Sequence, residues 1–320
     1  MLKIKSSLVE SKVQKKFETN SVLPKFYFAP KQNTISQKIF FNGIGLHSGK
    51  KVKMTLHPSG ENTGFIFKLK DGPYSFADIE AKYNNVISTK LCTTLGSMGY
   101  SISTTEHILS ALYALNIDNV VIELDSNEVP IMDGSSKEFV DSISKEGKED
   151  LNSFKKVIKI KKKVEIREGQ KIIRVSPNEE TIMTCEIDFK EKVIGKQTIS
   201  LLLNSDIYTS QICSARTFGF LNQIQDLRKR GLTLGGSLDN AIVVDDNKVL
   251  NKDGLRFSDE FVRHKTLDLI GDLSLSGYQM IGSFYSFHGG HDLNNKLLHK
   301  IFSSKENWDF VDYSENQKHI

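Results

Sequence analysis

Apolar and polar residues alternate with two different periods along this chain of 320 residues. In SQKIFFNGIGLHSGKKVKMTLHPS a period of two, broken by glycines at 43, 45 and 49, predicts a β-hairpin. In SISTTEHILSALYALNI the spacing of Ile108, Leu112 and Leu115 predicts a helix. DNVVIELDSN then predicts a buried strand, and PIMDGSSKEFVDSIS predicts a turn and a second helix. The polar, lysine-rich residues 145–156 are the candidate linker.

The second half of the chain repeats this succession of strands and helices. In KKVIKIKKKVEIREG charge recurs at every second position, which predicts a strand with one solvated face rather than a binding patch. The remaining patterns predict strands at 171–176, 181–189, 196–203 and 278–287, and helices at 205–215, 220–230, 259–276 and 291–302. Both halves therefore have the pattern of an α+β domain.

The length of the chain also favours two domains. We assign residues 34–150 to domain I and 151–305 to domain II, between a flexible basic extension (1–33) and a C-terminal tail (306–320).

Charge and cysteine content narrow the class of protein. The net charge is +4, but residues 1–33 contribute +5 through seven lysines and two glutamates, which leaves −1 for the rest. A nearly neutral body offers no basic groove for nucleic acid. Three cysteines without a C-x-x-C pair favour a reducing compartment. With no apolar run long enough to cross a bilayer and no signal-peptide pattern, we expect a cytoplasmic monomer with at most peripheral membrane contact.

VRHKTLDLIGD places three ionisable side chains at intervals of four residues. His264 and Asp268 would share a helical face and could hold one metal ion. Asp272 would lie about 12 Å along the axis from His264, too far to join them. An exposed His-x-x-x-Asp usually has no function, but Gly271 indicates that another group approaches this helix closely.

Two further stretches carry candidate chemistry. In STTEHILSAL, Ser103 and Glu106 have the spacing of a capping box, which spacing alone favours. Alternatively, His107 supplies a third metal ligand and Glu106 takes a proton from water. In FHGGHDLNNK, His291 would lie on a strand-to-helix turn with Asp292 as N-cap, either without a function or as a general acid held by a carboxylate.

Nine stretches from about residue 34 to 302 carry a resemblance to a known family: GIGLHSGKKV, LCTTL, STTEHILSAL, IDNVVIEL, EVPIMDGS, ARTFGF, RGLTLGGSLDNAIVVDD, VLNKDGLRFSDEFVRHKTLDLIGDL and GGHDLNNKLL. Together they resemble the UDP-3-O-acyl-N-acetylglucosamine deacetylases of lipid A (lipopolysaccharide) synthesis. The resemblance implies a zinc-dependent amidohydrolase with one catalytic ion per chain. It also implies two similar α+β domains, each a sheet layered with helices, whose helices pack together and whose active site lies at the domain interface.

The resemblance also implies roles for individual residues. His107, His264 and Asp268 would bind zinc, and Glu106 would be the general base. His291 would be the cationic partner of the leaving group and the oxyanion, with Asp272 orienting its ring. Thr217 would donate to the oxyanion and Lys265 would hold substrate, an acylated UDP-sugar. The remaining substrate contacts would come from Leu91, Cys92, Lys171, Phe189, Phe218, Phe220, Leu221, Ile224, Gly236 and Ser237.

The stretch from Phe218 to Ala241 matches the insert that forms an acyl-chain passage in the family. Phe220, Ile224 and Leu227 recur at helical spacing, and on spacing alone this face would pack into the core. Glycines at 231, 235 and 236 instead favour close approach of an acyl chain.

Some features depart from the family or leave other functions open. Residues 1–33 have no counterpart in the family pattern, and His288 stands where many members carry lysine. The chain is too short for a fused dehydratase domain. Two histidines and one carboxylate also fit a non-haem iron oxygenase, and a non-catalytic sugar-lipid binding protein is a third hypothesis.

Overall fold

A computed structural model describes residues 30–70, 78–246 and 248–312, and within them the fold is α+β. The elements of the first half are Lys31–Ile35 (β1), Ile39–Ile44 (β2), Lys51–Pro58 (β3), Phe65–Leu69 (β4), Asp78–Glu80 (β5), Val86–Ser88 (β6), Thr94–Ser97 (β7), Tyr100–Ile102 (β8), Glu106–Ala114 (α1), Val120–Leu124 (β9) and Lys137–Glu146 (α2). One mixed sheet has the strand order β2-β3-β9-β4-β5, and a smaller antiparallel sheet has the order β6-β7-β8.

The second half is built around a larger sheet. The elements of this half are Lys148–Phe154 (β10), Lys156–Ile160 (β11), Val164–Glu168 (β12), Lys171–Ser176 (β13), Thr181–Asp188 (β14), Lys196–Leu202 (β15), Ser205–Gln211 (α3), Phe218–Phe220 (β16), Leu221–Lys229 (α4), Ile242–Asp245 (β17), Lys248–Val249 (β18), Glu260–Leu273 (α5), Gln279–Phe287 (β19), His291–Phe302 (α6) and Trp308–Asp312 (β20). The strands of the larger sheet have the order β12-β13-β19-β11-β20, and β14 pairs with both β19 and β15.

The predicted hairpin is formed by β2 and β3, which pair antiparallel from Ile39 opposite Leu56 to Ile44 opposite Lys51. Alternate residues of β3, Val52, Met54 and Leu56, are buried, so its period-two pattern corresponds to one face on the core. The strands and helices found in both halves confirm the α+β prediction.

The two halves meet through their central helices, α1 and α5. Every residue of α1 is buried, and the helix packs closely against α5. The hydroxyl of Ser110 on α1 donates to the carbonyl oxygen of Leu267 on α5 at 2.9 Å. A Cβ atom on Gly271 would lie 2.1 Å from the carbonyl oxygen of Glu106. Gly271 therefore permits the close helix contact that its position indicated.

Several boundaries differ from the sequence prediction. The first helix begins at Glu106 rather than near 101, since Tyr100–Ile102 is a strand and Thr104 turns the chain with φ 59°. The lysine-rich strand is interrupted at 161–163 and forms β11 and β12. The candidate linker contains β10, which pairs antiparallel with β1.

The ends of the chain also contain structure that the pattern did not predict. Residues 31–33 of the predicted extension begin β1, and β20, in the predicted tail, pairs antiparallel with β11. Residues 1–29 of the extension lie outside the described residues. The domain boundaries remain a prediction, and β10 crosses the one placed at 150/151.

Candidate active site

Three buried side chains converge where α1 packs against α5. The ligand atoms of His107, His264 and Asp268 all lie within 4.8 Å of one another. Nε2 of His264 is 3.3 Å and Nε2 of His107 is 3.9 Å from Asp268 Oδ1. His264 and Asp268 come from one face of α5, as their spacing predicted, and His107 comes from the second residue of α1.

The protonation states of these groups suit a cation. Burial, with His264 nearby, lowers the pKa of His107 to about 3, and burial also lowers the pKa of His264. Burial would raise the pKa of Asp268, but His264 and Lys265 hold it well below its usual range. Two neutral imidazoles and a carboxylate are ligands in the form that a divalent metal ion binds. The cluster therefore fits a metal ion.

The loop before β16 orients one of the ligands. Nδ1 of His264 lies 3.1 Å from the carbonyl oxygen of Ala215, which directs Nε2 toward the cluster. The next residue, Arg216, forms a buried ion pair with Glu260, with Nε–Oε1 at 2.9 Å and Nη2–Oε2 at 3.1 Å. Glu260 begins α5, so this pair ties the loop to the helix that carries the ligands.

Glu106, the first residue of α1, does not form a capping box. Its Oε2 accepts a hydrogen bond from the Thr93 N–H at 3.0 Å, and no side chain caps the helix start. Its other oxygen, Oε1, lies 3.7 Å from Nε2 of His291. The capping-box alternative is therefore wrong, because the Ser103 N–H and hydroxyl donate instead to the Asn127 carbonyl oxygen, at 2.9 and 3.3 Å.

Asp272 faces His291 rather than the metal cluster. Its Oδ2 lies 2.8 Å from His291 Nδ1 and accepts a hydrogen bond from Asn294 Nδ2 at 2.7 Å. Its Oδ1 accepts a hydrogen bond from the Thr93 hydroxyl at 2.6 Å. His291 is the first residue of α6, and Gly290 is the N-cap. Asp292, predicted as the N-cap, instead pairs with Lys296 at 2.6 Å.

The environment raises the pKa values of both candidates for proton transfer, Glu106 and His291. Burial raises the pKa of Glu106 to about 7, although His291 opposes the shift. Burial alone would lower the pKa of His291, but the carboxylates of Asp272 and Glu106 outweigh it and raise that pKa to about 10. The cleft thus contains an imidazolium between two carboxylates.

Aromatic rings extend from the metal cluster toward the insert. The ring of Phe218 lies 6.4 Å from that of His264, 5.9 Å from Phe189 and 6.4 Å from Phe220. Lys265 Nζ is 5.6 Å above Phe218 and donates to Asp268 Oδ2 at 2.9 Å. His288 joins this group through Phe189, with ring centroids 5.9 Å apart.

Cys92, another predicted substrate residue, lies near Glu106. Cys92 is buried, and burial together with Glu106 raises its pKa to about 12, so its thiol is neutral. Leu91, before it, has φ 68° and is 48% exposed. Thr217 follows the loop that orients His264, with its N–H bonded to the Gly134 carbonyl oxygen at 2.8 Å.

The remaining predicted residues lie away from the metal cluster. Within the described ranges, no hydrogen bond, ion pair or ring contact connects them to its three ligands. Lys171 is exposed at the start of β13, opposite Glu168. α4 has no buried residue, so its apolar face does not pack into the core, and Leu221, Ile224, Gly236 and Ser237 are all at least partly exposed. A Cβ on Gly235 would lie 2.3 Å from the Gly45 carbonyl oxygen, so this glycine serves contact with the hairpin loop.

Four residues of the site were missed by sequence reasoning: Thr93, Arg216, Glu260 and Asn294. Thr93 and Arg216 stand in quoted stretches, LCTTL and ARTFGF, and Asn294 follows His291 by three residues. Their partners are 13 to 179 residues away along the chain, so no local pattern indicates these contacts. The one local signal is Arg216, a single charge in the otherwise uncharged stretch ICSARTFGFL, which indicates a need for a partner elsewhere in the chain.

A buried cluster of candidate metal ligands beside a carboxylate and an imidazolium, on an α+β fold, fits the class of metal-dependent hydrolases. The profile of the UDP-3-O-acyl N-acetylglycosamine deacetylase family matches residues 32–303.

Curated relatives are similar over nearly their whole length. The UDP-3-O-acyl-N-acetylglucosamine deacetylase of Campylobacter hominis is 45% identical over 289 residues, covering 90% of this chain and 97% of the relative. Those of Pasteurella multocida and Sulfurimonas denitrificans are 46% and 44% identical, covering 90% and 88% of this chain and 95% of each relative. The chain belongs to the UDP-3-O-acyl-N-acetylglucosamine deacetylase family.

Proposed function

We propose that this chain hydrolyses the N-acetyl group of UDP-3-O-acyl-N-acetylglucosamine with a zinc ion, releasing acetate and UDP-3-O-acyl-glucosamine for lipid A biosynthesis. Family membership supports the reaction and the substrate. The observation that carries the mechanism is the placement of Glu106 and His291 beside the metal cluster, with Oε1 and Nε2 3.7 Å apart.

His107, His264 and Asp268 would hold the zinc ion and leave a coordination position open. Bound zinc would polarise the amide carbonyl and lower the pKa of water. An oxygenase would use the same ligand set for iron. A proton acceptor and a proton donor next to the cluster favour amide hydrolysis over oxygen activation.

The residues of the chain would divide the proton transfers between them. Glu106 accepts a proton from the attacking water as the water oxygen bonds to the carbonyl carbon. His291 donates a proton to the nitrogen as the carbon–nitrogen bond breaks, and Asp272 holds its ring and favours its charged form. Thr217 donates a hydrogen bond to the carbonyl oxygen as it gains charge, and Lys265 binds substrate.

The acyl chain would lie along Phe218 and Phe220 toward α4, with Leu221, Ile224, Gly236 and Ser237 farther along this passage. Leu91 and Cys92 would contact substrate beside Glu106, and Lys171 and Phe189 would meet the nucleotide side. Because one chain supplies every proposed catalytic group, we infer a monomer. A nucleotide-sugar substrate and three free cysteines support a cytoplasmic enzyme.

Incubation of the purified chain with UDP-3-O-acyl-N-acetylglucosamine tests this function. We expect acetate release that a chelator abolishes and zinc restores, with no oxygen consumed. Glu106→Gln is the matched control, since it keeps the metal cluster but lacks the base. Oxygen consumption with ferrous iron, or substrate binding without acetate release, would contradict the proposal.

A further inference from the structure

Thr93, a buried residue just before β7, uses all three of its polar groups at the site. Its N–H donates to Glu106 Oε2 at 3.0 Å, and its hydroxyl donates to Asp272 Oδ1 at 2.6 Å. Its carbonyl oxygen accepts from the Thr105 N–H at 3.3 Å and from the Thr105 hydroxyl at 3.2 Å. The loop is thereby attached to the start of α1.

These hydrogen bonds determine which carboxylate oxygens of Glu106 and Asp272 remain available to face His291. Thr93 occupies Oε2 of Glu106, and the free Oε1 faces Nε2 of His291 at 3.7 Å. Thr93 also occupies Oδ1 of Asp272, and Oδ2 faces Nδ1 of His291 at 2.8 Å. The four residues form a closed ring in which one imidazole lies between two carboxylates.

We propose that Thr93 is a positioning residue that sets the geometry between the general base Glu106 and the Asp272–His291 pair. This role rests on the proposed function, in which both groups transfer protons. Glu106 begins α1 and Asp272 lies near the end of α5, in different halves of the chain. Thr93 bonds to both Glu106 and Asp272. It therefore holds the base and the Asp272–His291 pair in a fixed relative position where the two helices meet.

Substitutions of Thr93 distinguish the contribution of its hydroxyl from that of its backbone N–H, because they change only the side chain. Thr93→Val removes the hydroxyl and keeps the side-chain volume, whereas Thr93→Ser keeps the hydroxyl. Loss of the hydrogen bond to Asp272, the charged carboxylate that orients the proton donor His291, predicts about a 10- to 100-fold lower kcat in Thr93→Val. KM and zinc content should stay at the wild-type level, because the substrate contacts and ligands are untouched. Thr93→Ser should restore kcat to within about threefold of wild type.

Thr181→Val is the matched control for the loss of a buried threonine hydroxyl. Thr181 is 5% exposed, and its hydroxyl donates to the Met280 carbonyl oxygen at 2.7 Å. Both residues belong to the second half of the chain, whereas Thr93 belongs to the first. We expect this variant to lose stability to a similar extent as Thr93→Val while keeping its kcat.

A spectroscopic measurement tests the hydrogen bond without relying on turnover. In Thr93→Val, Asp272 Oδ1 lacks a donor, so the carboxylate accepts more strongly from His291. The Nδ1 proton resonance of His291 in the zinc-loaded protein, assigned by its loss in His291→Gln, should move downfield and return in Thr93→Ser. An unmoved resonance, an unchanged kcat, or a loss of kcat shared by Thr181→Val or accompanied by loss of zinc would overturn the proposal. A wild-type chain without deacetylase activity would contradict the proposed function instead, and the resonance would still report on Thr93.

Discussion

At the scale of residues, three buried carboxylates lie within one small region but have different partners. Asp268 contacts His264 and Lys265, Asp272 contacts His291, and Glu106 is held by a backbone N–H. A carboxylate in a dry site takes its properties from such partners, because burial alone would only raise its pKa. Identical functional groups can therefore perform three different tasks.

Zinc content should separate the ligands from the orienting residue. His107→Ala, His264→Ala and Asp268→Ala should each lose bound zinc, because three protein ligands are the fewest that hold the ion with an open position. Asp272→Ala should keep its zinc and lose much of its activity, because its carboxylate contacts His291. Metal analysis of the four purified variants checks this, and equal zinc loss in all four would refute the division.

The rate should depend on pH with a maximum. Glu106 acts as a base only when ionised, so its raised pKa should appear as an acidic limb along which the rate increases with pH. His291 donates only when protonated, so the rate should fall as pH increases through its raised pKa.

Two variants test which residue produces each limb of the pH profile of kcat/KM. Glu106→Gln should flatten the acidic limb, and His291→Gln should flatten the alkaline limb. A Glu106→Gln enzyme with the wild-type profile and a near-normal rate would show that another group is the base.

At the scale of elements, the contact between α1 and α5 brings the proposed metal ligands, the proposed base and the proposed orienting carboxylate together. His107 and Glu106 come from α1, and His264, Asp268 and Asp272 from α5. The contact is close because Gly271 presents no side chain to the backbone of Glu106. Helix propensity disfavours glycine in this position, so its presence reflects packing.

Gly271→Ala should therefore destabilise the protein even though alanine is the better helix former. The new Cβ would lie 2.1 Å from the Glu106 carbonyl oxygen and force the helices apart. We expect the free energy of unfolding to fall by about 1–3 kcal/mol, with loss of activity. Gly60→Ala, in an exposed loop with no heavy atom within 4 Å of the new Cβ, is the control for chemical denaturation. Equal stability of both variants would contradict this explanation.

At the scale of the whole molecule, the aromatic rings connect the metal cluster to a helix that the core does not cover. α4 contains no buried residue, yet Ile224 and Leu227 are only partly exposed. In the described part of the chain, no helix is long and apolar enough to cross a membrane. An acyl chain lying along this surface would gain apolar contact.

Specificity constants should accordingly rise with acyl length and then level off or fall. Burial of each methylene group of the acyl chain stabilises the bound substrate by about 0.8 kcal/mol, so three such groups would increase kcat/KM about fifty-fold. Ile224→Trp should lower the length limit without changing zinc content, and Gln225→Trp, on an exposed neighbour, should not. A kcat/KM that hardly changes with acyl length would place the passage elsewhere.

The sequence by itself determined the elements whose pattern is local. The boundaries of α6 and β13 follow from periodicity, because α6 buries one stripe and β13 one face. Those of α5 were predicted to within a few residues, although nearly the whole helix is buried. The i, i+4 pair His264 and Asp268 is local in the same way. Motifs rather than spacing singled out His107, Glu106 and His291, since spacing alone left a capping box and an idle loop histidine as alternatives.

Only the tertiary structure decided which groups meet. β20 and β10 are strands because β11 and β1 pair with them, and their own patterns carry little signal. Glu106 bonds to Thr93 rather than to its own helix start, and Arg216 is buried because Glu260, 44 residues later, neutralises it. A buried polar group must find a partner, and long-range packing determines which partner is within reach.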